Sequence, residues 1–455
     1  MNRSHVPPPA SATAEQTPRG FSRRSVLTAL AGISLTVAGC APGGNDKSSA
    51  SSSSGKSSVT LNFWHYFTDR AELLQQFADQ YHDQTGVTVK LQLIPGDTLG
   101  QKFQAAAQAG RLPDVAAGWT GVGDGLAPYA KQGTILNLQA AMNDGWSQRF
   151  YPAHLQAGSF QPGNSFGVPP GPYLVPLDAN NMQILYNTKH FAKAGISAPP
   201  ATFADFLDAS AKLATAGVVP FTSGFASWPL DSFAQMYQYD VIGADAMDAT
   251  FSGKRKYTDP AWLDFLGLFQ QLRESKALAQ GILAADMPAA ESLFANGQAG
   301  MIFDGSWAVG VFKQKNPGFT DYDVMLPPSV GGATGKLAIP GGVGAQLLVV
   351  GTSPHKDEAV KFVRWLTDPD QQVKYATTSA NLPANREVAG KISTTPVLQK
   401  FAAEMDKVFP SLPHSMPAAV NTSLHAGLQN ILAGKSAPAA VAAALQHAQS
   451  TGQAK

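Results

Sequence analysis

Cysteine is almost missing from this 455-residue chain: Cys40 is the only one. No disulfide can form within the chain, so its stability must come from a packed core. Charge is sparse too. Only 14% of residues are Asp, Glu, Lys or Arg, and no run of like charge exceeds a few residues. Residues 1–39 hold four of the arginines and one glutamate, which leaves 29 basic and 31 acidic side chains in the remainder. A chain so near neutrality lacks the basic face that a nucleic-acid partner needs. The nine histidines are scattered without metal-ligand spacing, so neither metal nor cofactor is expected. Catalytic signatures are missing as well. There is no Gly-x-Ser-x-Gly nucleophile turn and no His-Glu-x-x-His zinc helix. Ser353 and Lys356 satisfy Ser-x-x-Lys, but Ser-Asp-Asn and Lys-Thr-Gly are both absent and the segment reads as a helix start. No local pattern singles out a carboxylate pair for glycoside hydrolysis. These absences argue against an enzyme, with a secreted hydrolase as the rival reading.

The lone cysteine carries information of its own. It closes Val37-Ala38-Gly39-Cys40, and an apolar stretch from Val26 to Val37 lies upstream, opened by Arg23-Arg24. A basic start, a short apolar core and small residues before a cut describe an export signal. A cut before a cysteine describes a lipoprotein, with a diacylglyceryl group on the Cys40 thiol. The apolar stretch is about 12 residues, too short to span roughly 30 Å of hydrocarbon. Ser22-Arg23-Arg24-Ser25-Val26-Leu27 looks like the twin-arginine signal. A Sec-type signal that happens to carry two arginines is the alternative. Either route puts residues 40–455 outside the cytoplasmic membrane, held to it by the lipid. Residues 40–58, with their serine-rich tract, read as a flexible tether. Within it, Ala50 to Ser57 falls short of a phosphate loop, lacking the pattern's first glycine, a preceding strand and a following helix.

About 400 residues beyond the signal exceed one domain and suggest two. Val59 to Trp64 alternates and is rich in β-formers, a strand. Leu73, Leu74, Phe77 and Tyr81 predict a helix over 69–84, stopped by Gly86. A strand over 87–94, a helix over 98–109 and a strand over 113–117 complete a β-α-β-α-β pattern, hence an α/β domain with a largely parallel sheet. Further strands are expected at 182–186, 299–303 and 346–350. Helices are expected at 188–194, 202–216, 231–239, 260–275, 288–297, 355–367 and 369–378, with 393–408 and 415–449 mostly helical. Gly/Pro-rich stretches at 168–177 and 327–342 read as crossings between domains.

Four stretches, taken in order, resemble the extracellular solute-binding proteins of ABC importers, in the maltose-binding-like, carbohydrate-type branch. They are Pro113-Asp114-Val115 with Tyr129 to Leu136; Ile184 to Lys189 with Phe191 to Ile196 and Pro199 to Phe203; Phe294 to Trp307; and Gly341-Gly342 with Glu358 to Phe362 and Trp365-Leu366-Thr367. Together they span most of residues 59–390. The resemblance implies two α/β lobes of periplasmic-binding-protein type, each a mainly parallel sheet flanked by helices, with a ligand cleft between them. It places the crossings near 168–177, 327–340 and 368–372. The lobes are then 59–170 plus 338–370 and 171–337 plus 371–455. It also implies the function: a monomeric, extracytoplasmic binding component that captures a sugar or oligosaccharide and delivers it to membrane permease subunits. A peptide or polyamine ligand is the alternative.

A sugar offers hydroxyls at its rim and C–H patches on its faces, so its site needs aromatic faces and planar polar groups. In open α/β sheets such groups follow the carboxyl ends of strands. Trp64, His65 and Tyr66 end the first strand; His65 and Tyr66 would face the cleft, with plain packing as the other reading, and Trp64 suits a core. Trp119, set among glycines, suits a ligand platform. Asp124 fits either a ligand contact or a helix cap. The family pattern marks Asn180 as a polar contact, with a turn residue as the alternative. It marks Trp228 and Trp307 as stacking positions, with packing between lobes as the alternative, and Arg386 as a position sometimes used at the cleft. Gly342 would let backbone approach the ligand closely.

Overall fold

The computed structural model describes residues 59–453, apart from 120, 124, 331–336, 389, 390, 393, 394, 410, 411 and 413. Arg23, Arg24, Cys40 and Asp124 lie outside the described residues.

Alternation along β1 (Thr60–His65) sends Leu61 and Phe63 into one core cluster and Trp64 into another on the opposite face. In α1 (Ala71–Thr85), Leu73, Leu74, Phe77 and Tyr81 are all buried. Gly86 ends that helix at φ 78°, its amide donating to the His82 carbonyl. Next come β2 (Thr88–Leu93), α2 (Gly96–Gln108) and β3 (Val115–Trp119), and β1 pairs in parallel with both strands. Asp114 anchors the start of β3: its carboxylate accepts from the Asn62 amide at 2.7 Å and from the Ser353 hydroxyl. A short strand, β4 (Val175–Pro176), also belongs to this sheet.

The second sheet begins with β5 (Asp178–Asn187). A capping box opens α3 (Phe203–Thr215): the Thr202 hydroxyl accepts from the Asp205 amide, and the Asp205 carboxylate accepts from the Thr202 amide. The chain continues through β6 (Val219–Thr222), α4 (Trp228–Tyr237), α5 (Pro260–Glu274), α6 (Met287–Ala295), β7 (Ala299–Gly305), α7 (Ala308–Lys315) and β8 (Tyr322–Met325). Every residue of β7 is buried. Aromatic edges fill the core beneath it, with Phe206 on Phe221 at 5.4 Å and Phe233 on Phe303 at 5.3 Å.

Next, β9 (Gly341–Val343) pairs with β5, whereas β10 (Gln346–Val349) inserts between β3 and β4. Two helices, α8 (Lys356–Leu366) and α9 (Pro369–Ser379), send Phe362, Leu366 and Tyr375 into the first lobe's core. Then β11 (Leu382–Pro383) returns to β5. The last helices, α10 (Ala418–Leu432) and α11 (Pro438–Gln453), place Val420, Leu424, Leu428 and Leu445 in the second lobe's core.

The two lobes are as expected, but their sheets are mixed rather than mainly parallel. The first has the order β2-β1-β3-β10-β4, and the second runs β8-β5-β7-β6 with β9 and β11 also on β5. Every antiparallel pair within these sheets involves β5 or β10. Both strands arrive from the other lobe rather than through a helix on their own face, so nothing forces them parallel. The crossings also fall later than the composition suggests. Val175 pairs with Leu347, which keeps β4 in the first sheet and sets the first crossing at 177–178. Gly341–Val343 stay on β5, so the second lies at 344–345. Tyr375 is buried in the first lobe, so the third follows α9.

Candidate functional site

The candidate residues fall into three groups. On the first lobe, Tyr66 directly follows β1 and Trp119 ends β3. Gly118 stands between them. Its φ is +156°, and a Cβ there would lie 2.0 Å from Leu99 and 3.7 Å from the Tyr66 ring. A side chain there would displace Leu99, whereas its contact with the Tyr66 ring would be an ordinary one. Trp119 is half-buried, edge-on to Phe103 at 5.0 Å. Burial pushes the Tyr66 hydroxyl up, and Asp178 adds to the shift.

On the second lobe, Trp228 opens α4 and is 48% exposed, one of three exposed large apolar side chains among the described residues. Trp307 follows β7. Their ring centroids are 6.1 Å apart with the planes tilted by 54°. The Trp307 ring lies where a Cβ on residue 305 would point, 2.0 Å away, so it occupies the space that the missing side chain of Gly305 leaves. The third group sits where the chain changes lobe. Gly342 faces Asn180 across β9 and β5, with φ +113°. Gly344 leaves room for the Asn180 amide nitrogen, which would be 2.7 Å from a Cβ.

His65 and Arg386 join none of these groups. His65 is 2% exposed and stacked on Phe67 at 5.8 Å. Burial, with Arg70 adding to it, lowers the imidazole to about 4 and leaves it neutral. Trp64 lies in the core. Arg386 is exposed, its amide donating to the Arg149 carbonyl at the edge of the first lobe.

Three charged constellations escaped the sequence. At the first crossing, Arg70 donates to Asp178 at 2.5 Å and to the Tyr375 hydroxyl oxygen, while Tyr375 donates to Asp178 at 2.7 Å. The Ala345 amide donates to the other Asp178 oxygen at 2.6 Å, so both strands of the crossing meet at one carboxylate. Burial works against the Arg70 charge, but Asp69, Tyr375 and Asp178 outweigh it. The second constellation is Asp304 with Glu291. Burial pushes Asp304 well up, Glu291 adds to it, and the Gly305 amide holds it back. Burial raises Glu291 to about 7, opposed by Lys315 and reinforced by Asp69 and Asp286. The third is Asp231 on α4, which accepts from His425 Nδ1 at 2.9 Å. Only this last one leaves a sequence signal, since Asp231 lies three residues after Trp228 in a helix.

The described residues contain no group of three or more His, Cys, Asp or Glu able to hold a metal. Two surface hollows, about 370 Å³ beside Ala127, Lys131 and Phe166 and about 340 Å³ beside Asn187, His190 and Asn316, include none of the aromatic groups above. No described helix is long and apolar enough to cross a membrane.

Comparison with known proteins agrees with this architecture. The chain is 24–25% identical to the multiple sugar-binding protein of Streptococcus mutans (77% of this chain, 79% of that one) and the maltotriose-binding protein of Pyrococcus abyssi (76% and 71%). Among solved structures, it resembles a chitin oligosaccharide binding protein with a TM-score of 0.74 at 23% identity, over 88% of this chain and 100% of that one. It also resembles the maltose/maltodextrin-binding domain of Bdellovibrio bacteriovorus bound to maltotriose, with a TM-score of 0.69 at 20% identity over 87% and 100%. At these identities the structures speak for the fold. The profile that describes bacterial extracellular solute-binding proteins matches residues 65–373, and the chain belongs to that family.

Proposed function

We propose that the protein captures a sugar or oligosaccharide between its lobes and delivers it to an ABC-type membrane permease, without catalysing a reaction. The observation that carries this reading is the Trp228–Trp307 pair: two tilted aromatic faces, one of them 48% exposed, the other occupying the space that the missing side chain of Gly305 leaves. Exposing a tryptophan costs hydrophobic free energy unless a ligand covers it, and sugar C–H faces suit that role. The sugar-binding names of the relatives agree.

We assign ligand contact to Tyr66, Trp119, Asn180, Trp228, Trp307 and Gly342. His65, stacked under Phe67, and Arg386, at the first lobe's edge, are not assigned. Our lobe division is 59–177 plus 345–379 against 178–344 plus the segment from 380, with Asn385 and Arg386 touching back on the first lobe. Contacts from both lobes form together only in a closed state, so ligand shifts the population toward closure about the three crossings. Export through Arg23-Arg24, lipid attachment at Cys40 and a monomeric state complete the reading.

A thermal-shift screen of the full-length protein tests it, using mono- and oligosaccharides, peptides, amino acids and polyamines. A ligand at 100 times its Kd adds about 2.7 kcal/mol to the folded state. A concentration-dependent rise in Tm with one sugar class, and no product formed, is the expected result. A rise with peptides or polyamines alone would overturn the sugar assignment.

A further inference from the structure

Asp231 and Trp228 lie three residues apart on α4, so they are neighbours on one helix face. The Asp231 side chain is 33% exposed, and His425 is its only partner among the described residues. The imidazole comes from a different helix, α10. Its Nδ1 lies 2.9 Å from one carboxylate oxygen, which makes Nδ1 the protonated nitrogen and fixes the carboxylate's orientation. One turn further along α10, the Gln429 amide donates to the Phe225 carbonyl at 3.2 Å, three residues before Trp228. Helix α10 is therefore tied both to α4 and to the segment just before it, and among the described residues the second carboxylate oxygen has no partner, on the helix face that Asp231 shares with the exposed Trp228.

We propose that Asp231 determines specificity at this site: its free oxygen accepts hydrogen bonds from hydroxyls at the edge of a sugar stacked on Trp228, and its charge excludes sugars that carry a carboxylate. This rests on the sugar reading above and narrows it to neutral or amino sugars. The physical grounds are simple. A half-buried carboxylate forms stronger hydrogen bonds to hydroxyls than a neutral acceptor does. A second carboxylate brought beside it meets a like charge, which costs affinity. His425 is a positioning residue, acting only through Asp231.

Isothermal titration of the full-length protein tests this with maltotriose, chitotriose and raffinose as neutral probes and trigalacturonate as the acidic probe. The wild type is expected to bind a neutral probe and to reject the acidic one. Asp231→Asn should weaken the neutral probe at least tenfold and shrink the neutral-over-acidic ratio, with Tm unchanged. His425→Gln should move the same ratio by less. Asp231→Glu, which keeps the charge but displaces the oxygens, should lose neutral affinity and keep the rejection; it also serves if Asp231→Asn does not fold. Neutral binding and selectivity undisturbed by Asp231→Asn or Asp231→Glu would overturn the proposal while leaving the sugar reading intact. Wild-type preference for trigalacturonate would do the same. No binding of any sugar, neutral or acidic, would overturn the sugar reading itself and this proposal with it.

Discussion

Replacing Glu291 with glutamine should stabilise the protein at alkaline pH and do nothing at acid pH. Glu291 lies on α6 with 6% of its surface exposed, and the groups that act on its charge are Asp304 on β7, Asp286 before the helix, Asp69 from the first lobe and Lys315 on α7. Burial leads in raising its carboxyl from the ordinary 4.5 to about 7. The folded protein thus holds a proton that the unfolded chain gives up near pH 4.5. Folded-state pKa lies above unfolded, so stability is full below about pH 4.5 and falls as pH rises toward 7. One pKa unit corresponds to about 1.4 kcal/mol, so the loss totals about 3 kcal/mol by pH 8. Glutamine has no proton to lose. The variant should therefore differ from wild type by less than about 1 kcal/mol at pH 5 and exceed it by about 3 kcal/mol at pH 8. Urea midpoints at the two pH values measure this. A difference between variant and wild type that is the same at pH 5 and pH 8 would refute the reasoning, because it would show that Glu291 is not titrating in the folded protein.

Two further changes probe the crossings. Gly310 on α7 approaches the end of α9: a Cβ there would lie 2.3 Å from the Ser379 carbonyl oxygen. Gly310→Ala should therefore separate helices of opposite lobes and enlarge the radius of gyration seen by small-angle scattering; an unchanged radius with unchanged Tm would sink the idea. Arg70→Met strands Asp178 as a buried charge, with side-chain exposures of 8% and 4% for the original pair. Removing one partner of such a pair costs about 3–5 kcal/mol, so a denaturation midpoint equal to wild type's would show that the network is not needed for stability.

Much of the fold was legible because its signals are local. The spacing of Leu73, Leu74, Phe77 and Tyr81 and the stop at Gly86 are properties of neighbouring residues, and α1 runs Ala71–Thr85 against an expected 69–84. The crossings were displaced because a crossing depends on which sheet a residue joins. Nothing near Val175–Pro176 announces that they pair with Gln346 and Leu347. Glycine and proline mark where the chain can turn. They do not mark where it leaves a lobe.

Site residues follow the same logic. Trp146 and Trp262 are fully buried while Trp228 is 48% exposed, and composition treats all three alike. Flanking residues separate them in part. Trp228 precedes Pro229 at a helix start, and Trp119 follows Gly118, whose missing side chain leaves room for Leu99. Such positions sit at strand or helix ends, where a large side chain has fewer neighbours of its own. The buried carboxylates carried no comparable mark. Arg70 and Asp178 are 108 residues apart, and Asp304 is the penultimate residue of an otherwise apolar strand. A buried charge needs partners, and partners brought from far along the chain are invisible until the chain is folded. Asp231 lies between these cases. Its spacing from Trp228 could be read from the helix, but its orientation depends on His425, which reaches it from across the lobe.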